Sequence, residues 1–194
     1  MYFPYYELHA HSAYSFLDGA SSPAALVEEA ATLGLEGIAI TDTDGLYAAV
    51  QANMASRRVG INALYGAELT VEGACIPVIA RGPKGYSALS ELISKANLAL
   101  GERKKAQYTL GQLSDQLADE AVILTGTKNG LLGKGEDVDR ATLRRLKDLF
   151  PKDNIAVECT LYGVSGEAEW ADYLAQLAKQ ESLRLVDTTA ARCA

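Results

Sequence analysis

The chain has 194 residues, 48% of them hydrophobic, which is enough for one domain with a substantial core. No apolar run approaches the roughly 20 residues that span a bilayer, and the opening Met1-Tyr2-Phe3-Pro4-Tyr5-Tyr6 lacks the basic region of a signal peptide. A net charge of −7 and a pI near 4.9 argue against a domain that grips nucleic-acid phosphates by itself.

In chain order, Tyr5 to His9 reads as a strand. Ser22 as N-cap and Pro23 in the first turn open a helix that runs to Gly34. Ile38 to Thr41 is a short buried strand, broken at Asp42-Thr43-Asp44-Gly45. Helical spacing resumes from Leu46 to Arg58, with Asp44 expected as its N-cap. Ala63 to Val71 and Ile76 to Ala80 read as strands. After Gly85-Tyr86 a helix places Leu89, Leu92, Ile93 and Ala96 on one face. Leu110 to Leu117 is a short helix and Ala121 to Thr125 another buried strand. Residues 126 to 136, rich in Gly and Lys, form a loop. A helix follows from Val138 until Pro151 stops it. Ile155 to Leu161 is a strand, Glu167 to Gln180 a helix with Trp170, Tyr173, Leu174 and Leu177 inward, and Leu183 to Val186 a last strand.

Strands separated by helical segments of about 10–15 residues predict parallel βα units, in a barrel or an open doubly wound sheet. Both architectures collect chemistry at the C-terminal ends of strands. His9, Asp42, Thr127 and Asp187 fall at such ends, consistent with one cleft. No linker, internal repeat or low-complexity tract divides the chain.

The three cysteines, Cys75, Cys159 and Cys193, have no paired spacing, which points to a reducing compartment and excludes a zinc ribbon. The basic clusters Arg103-Lys104-Lys105 and Arg144-Arg145 with Lys147 read as solvated faces. No Walker or Gly-x-Gly-x-x-Gly motif occurs.

Both histidines of the chain lie in Glu7-Leu8-His9-Ala10-His11-Ser12. On a strand, side chains two apart point the same way, so His9 and His11 can grip one ion, with Asp18 a downstream oxygen ligand. A Ser-His-Asp triad would have to recruit one of these candidate ligands. Glu158 at a strand end either faces the cleft or forms a salt bridge. Asp187 fits a strand-end turn or a shifted ligand.

Three stretches carry a resemblance: Glu7 to Ser12 continuing through Tyr14-Ser15 and Leu17-Asp18-Gly19-Ala20, then Gly37-Ile38-Ala39-Ile40-Thr41-Asp42, then Gly66-Ala67-Glu68-Leu69. Together they resemble the PHP (polymerase and histidinol phosphatase) domain. More narrowly, the chain is similar to the N-terminal PHP domain of bacterial DNA polymerase III alpha subunits of the error-prone branch. Ser15 to Ser21, and Gly82-Pro83-Lys84-Gly85-Tyr86 followed by Leu92-Ile93-Ser94, carry that narrower likeness. The resemblance spans residues 1–194 as one PHP domain and implies a distorted (β/α)7 TIM-like barrel.

Active members of that family hold two or three metals and hydrolyse phosphoesters. The resemblance assigns His9, His11, Asp18 and Glu68 as surviving ligands, with Cys75 where the family carries a histidine. It also marks losses. The family's Thr-Asp-His reads Thr41-Asp42-Thr43 here, Thr127 stands where a cysteine is frequent, and the final Asn-Asp-x-His reads Thr189-Ala190-Ala191-Arg192. The expectation is a degenerate site, lined also by Asp42, Thr43, Thr127, Asp187 and Arg192. It would hold at most one divalent ion, zinc or manganese, with Arg192 paired to Asp18 or Glu68 in place of a cation. The implied role is a non-polymerising scaffold in DNA replication or repair. Its partners would be the remainder of a polymerase alpha subunit or its accessory subunits, with DNA met only indirectly, in the cytoplasm and away from membranes. The alternative is a metal-dependent phosphoesterase acting on phosphomonoesters or nucleic-acid ends.

Overall fold

The computed structural model describes residues 4–100, 106–127, 129–132, 140–163 and 165–194. The cluster Arg103-Lys104-Lys105, part of the 126–136 loop and the expected helix start at Val138 lie outside them. In chain order the elements are β1 (Tyr6–Ala10), α1 (Pro23–Thr32), β2 (Gly37–Ile40), α2 (Ala49–Val59), β3 (Asn62–Val71) and β4 (Ala74–Ala80). Then come α3 (Gly82–Leu100), α4 (Leu110–Leu117), β5 (Ala121–Leu124), α5 (Arg140–Leu149), β6 (Ile155–Thr160), α6 (Glu167–Glu181) and β7 (Arg184–Thr188).

The seven strands pair in sequence order to form one nearly closed barrel with helices outside it. The expectation of parallel units throughout needs correction at β4, which runs antiparallel to both β3 and β5. No helix separates β3 from β4. The chain reverses at Glu72-Gly73, both at positive φ (50° and 87°), the two-residue turn whose twist suits a hairpin. The remaining neighbours are parallel.

Ser22 caps α1 as expected, its side chain accepting from the Ala25 N–H at 3.2 Å, with Pro23 in the first turn. The expected Asp44 cap is not formed. α2 starts later, after Ala48, and Asp44 takes a left-handed φ of 49° in the preceding turn. Thr109 and Gln112 build a capping box at α4.

Every strand sends at least one side chain into a common interior layer: Leu8, Ala39, Leu64, Ile79, Val122 with Leu124, Ala156 and Val186. Outside the barrel, Leu26, Val27 and Ala30 of α1 pack with Ile38 and Ile40, while α3 and α4 cover β3 to β5. Each fully buried leucine there contributes about 2 kcal/mol by leaving water. Above the apolar layer, towards the C-terminal strand ends, the same inward positions turn polar. Thr41 follows Ala39, Glu158 follows Ala156 and Thr188 follows Val186, all of them buried.

The seam between β1 and β7 is closed differently from the rest of the sheet. A bridge joins Ala10 and Ala191, and the His11 N–H donates to the Ala191 carbonyl at 2.8 Å. Buried Glu7 fills the gap. Its carboxylate accepts from the His9 N–H (2.8 Å), the Thr189 N–H (2.9 Å), the Thr189 hydroxyl (2.6 Å) and the Tyr5 hydroxyl (3.3 Å). Among the described residues no helix is long and apolar enough to cross a membrane.

Candidate metal centre

β1 carries a bulge between Glu7 and Ala10, where its register with β2 shifts. The bulge lets two successive residues, Leu8 and His9, both face the interior, after which Ala10 packs outward with α1 and α2. His11 then returns to the cleft, its ring 5.3 Å from that of His9. Both imidazoles are fully buried.

Glu68 completes a group with them. One ligand atom from each of His9, His11 and Glu68 lies within 4.8 Å of the others. His9 Nε2 is 3.1 Å from Glu68 Oε2, and His11 Nε2 is 3.8 Å from Glu68 Oε1. The backbone of Glu68 is pinned at the end of β2: its N–H donates to the Thr41 and Asp42 carbonyls at 3.1 Å, and its carbonyl accepts from the Asp44 N–H at 2.9 Å.

The two Nδ1 atoms point away from Glu68, each to its own carboxylate. Glu158 Oε1 lies 2.7 Å from His9 Nδ1, and Asp18 Oδ2 hydrogen-bonds His11 Nδ1. Glu158 is in turn held by the Thr188 hydroxyl at 2.6 Å, and its N–H donates to the Thr125 hydroxyl at 3.0 Å. Asp18 also meets Arg192 Nε at 2.9 Å. Carboxylates on Nδ1 leave both Nε2 atoms aimed at one point, the arrangement in which histidines serve as metal ligands.

Electrostatics separates the two rings. Burial lowers the His9 pKa, but hydrogen bonds and negative charge from Glu158 and Glu68 outweigh it and raise it to about 9. For His11, burial dominates, and the charges of Arg192 and His9 add to it, so its pKa falls. Glu68 is partly desolvated, yet its hydrogen bond to His9 and the nearby positive groups lower its pKa. Burial likewise raises Asp18 less than the His11 and Arg192 bonds lower it.

The other expected residues are distributed around this core. Asp42 is buried and turned to the 12–15 loop, accepting from the Ser12 N–H, the Ser12 hydroxyl and the Ser15 hydroxyl, each at 2.7 Å. The Thr43 N–H donates to Ser15 Oγ at 3.1 Å, and Thr43 itself is exposed. Cys75 is a half-buried cysteine, in no disulfide, on β4 opposite Thr70, two pairs beyond Glu68 and Pro77, and outside the His9–His11–Glu68 group. Thr127 lies in the turn after β5, its carbonyl accepting from the Gly130 N–H. Asp187 is exposed between the inward-facing Val186 and Thr188, so the structure does not bring it into the cleft. Arg192 pairs with Asp18, one of the two partners expected for it.

By sequence, Glu158 fits either the cleft or a salt bridge. The structure places it in the cleft, in ion-pair contact with His9. The signal available was its position two residues after Ala156 near the end of a buried strand. Glu7 carried no such signal, because its role belongs to the seam.

The residues present fit a divalent ion. His11 Nε2 is buried with no hydrogen-bond partner among the described residues, and it faces Glu68. Two imidazoles and one carboxylate form a donor set of the kind that holds a divalent ion.

Fold and site together define a TIM-like barrel with a His/His/Glu group at the C-terminal strand ends. The chain belongs to the PHP domain family, whose model matches residues 7–160. It is 41% identical to the error-prone DNA polymerase of Cutibacterium acnes, over 98% of this chain and 18% of that protein. It is 40% identical to the error-prone DNA polymerase of Mycobacterium tuberculosis H37Rv, over 98% of this chain and 19% of that protein. The chain therefore spans less than a fifth of the length of these relatives. A Bifidobacterium adolescentis protein assigned as a metal-dependent phosphoesterase shares the fold with a TM-score of 0.73 at 16% identity, over 96% of this chain and 87% of that one. An amidohydrolase from Chromobacterium violaceum does so with a TM-score of 0.67 at 15% identity, over 97% and 87%.

Proposed function

We propose that this chain is the PHP region of an error-prone type of DNA polymerase and holds one divalent ion, zinc or manganese, on His9, His11 and Glu68. The observation that carries this reading is the pair of Nε2 atoms converging on Glu68 while Glu158 and Asp18 hold the far nitrogens. Among the described residues a cluster of two or three ions has too few donors. Thr43, Thr127, Ala190 and Arg192 stand where the family's further ligands would be.

The ion's role in this reading is structural. It would tie β1 to β3 across the mouth of the barrel, next to a β1–β7 seam that rests on Glu7 rather than on a full ladder. The domain then serves as a scaffold for the rest of a polymerase and its accessory subunits, meeting DNA only indirectly. The acidic balance of the chain supports that last point.

A second reading, phosphoester hydrolysis, draws support from the donor count: three protein ligands would leave the fourth position of a tetrahedral ion to water or substrate. When bound there, a divalent ion would supply an activated water and polarise a phosphoryl oxygen. Glu68 and the two imidazoles would fix its position, and Glu158 and Asp18 would hold each ring in the tautomer that presents Nε2.

Zinc titration of the purified chain, with metal content measured after dialysis, tests the first reading. One ion per chain, lost in His9→Ala, is expected; two or more, or none, would overturn it. Turnover of p-nitrophenyl phosphate with added manganese or zinc decides the second reading. Activity abolished by His9→Ala supports hydrolysis, and no turnover with either metal rejects it.

A further inference from the structure

Arg192 sits at the lip of the cleft, just after β7. Its Nε meets Asp18 at 2.9 Å, its NH1 donates to the Ala190 carbonyl at 3.0 Å, and 31% of its side chain remains exposed. Its positive charge is also felt by His11 and Glu68. Thus the guanidinium is fixed at one end, open to solvent, and within electrostatic reach of the His/His/Glu group.

Charge balance indicates what it does there. Three carboxylates, Glu68, Glu158 and Asp18, surround the two imidazoles. One divalent ion and one guanidinium neutralise them with both imidazoles uncharged. Without Arg192, three negative charges would face two positive ones, and an incoming anion would be repelled. Two-ion sites hold a phosphoryl group between two cations. A guanidinium can take one side of such a clamp, because its forked N–H donors match phosphate oxygens.

We propose that Arg192 acts as the second cation of this site, so that the cleft binds a phosphoryl dianion between one divalent ion and the Arg192 guanidinium. The proposal rests on the single-ion reading above. Asp18 holds the guanidinium when no anion is bound. The long arginine stem then lets it turn to the ligand while Asp18 keeps its bond to His11.

The test uses the full 194-residue chain loaded with one equivalent of zinc. Inorganic phosphate, then phenyl phosphate, is titrated calorimetrically at fixed ionic strength into wild type, Arg192→Gln and Arg192→Lys. Zinc affinity is measured first for each. The expected result is unchanged zinc stoichiometry in all three, phosphate binding weakened at least tenfold in Arg192→Gln, and partial recovery in Arg192→Lys. Tighter binding of phenyl phosphate than of phosphate would identify an ester as the ligand, and the reverse order free phosphate; either supports the clamp. Phosphate affinity in Arg192→Gln equal to wild type overturns it, as does no phosphate binding to zinc-loaded wild type. Failure of wild type to bind zinc at the first step is a separate result, and it overturns the single-ion reading itself. Thermal melts of the metal-free variants show whether they fold.

Discussion

Glu158 Oε1 lies 2.7 Å from His9 Nδ1, with both side chains fully shielded from solvent. The contact joins the ends of β1 and β6 and sets which nitrogen of His9 is available to Glu68 or to an ion. A buried carboxylate is kept only where partners compensate its desolvation. Here these are His9 and the Thr188 hydroxyl, while Oε2 has no partner among the described residues. Glu158→Gln is therefore expected to weaken zinc binding by about 10–100-fold, the usual cost of losing such a supporting carboxylate. Competition with a chromophoric chelator measures it; an unchanged affinity would remove Glu158 from the site.

The metal-free protein should lose stability in alkali. His9 has a pKa of about 9 when folded, against roughly 6.5 when unfolded. A raised folded-state pKa gives stability that is complete below the unfolded value and is lost as pH rises through the folded one. Between about pH 6.5 and 9 the loss should approach about 1.4 kcal/mol per pH unit. Urea unfolding at several pH values in the presence of a chelator would show it. With saturating zinc the decline should shrink, because binding replaces the His9 proton.

Gly19 closes the loop that carries Asp18. A Cβ there would lie 1.9 Å from the Ser12 carbonyl oxygen. Gly19→Ala must push this turn away from the His11-Ser12 backbone, at about 1–3 kcal/mol, typical of overpacking. Because Asp18 would move with the loop, zinc affinity should fall as well. A variant with wild-type melting temperature and zinc affinity would contradict the close approach.

Glu7 gives a prediction about the barrel seam. Its carboxylate serves four donors from Tyr5, His9 and Thr189. Glu7→Ala leaves the buried His9 N–H without its acceptor and removes the tie to Thr189, and about 1–3 kcal/mol of stability should be lost. Denaturant unfolding with an unchanged midpoint would mean that the seam is held by other contacts.

Cys75 should be dispensable for the ion. It sits on β4 outside the His9–His11–Glu68 group. Cys75→Ser is expected to keep zinc affinity within twofold of wild type, measured by the same chelator competition. A larger drop would make the thiol a ligand.

Much of the fold was legible because its signals are local. Ser22-Pro23 marks the start of α1 through the chemistry of a capped first turn. Apolar runs such as Ile38–Ile40 and Ala121–Leu124 mark strands buried on both faces. Strand direction at β4 was not legible from alternation alone; it follows from the short Glu72-Gly73 turn, which leaves no room for a crossover helix. The α2 start was misplaced because helical spacing begins at Leu46 while the backbone is still turning.

The sequence by itself determined the family and nominated His9, His11 and Glu68, with Asp18 and Cys75, as candidate ligands, since they stand in or next to motifs whose spacing survives any detail of packing. Only the tertiary structure decided what the remaining carboxylates do. Asp18 goes to the far nitrogen of His11 and to Arg192, Asp42 to the serines of the 12–15 loop, Glu158 to His9, and Asp187 to solvent. The reason is physical: a strand residue's facing is set by register, and a single bulge in β1 changes which residues share a face with His9. Partners that lie 149 residues apart, as His9 and Glu158 do, leave no trace in local pattern.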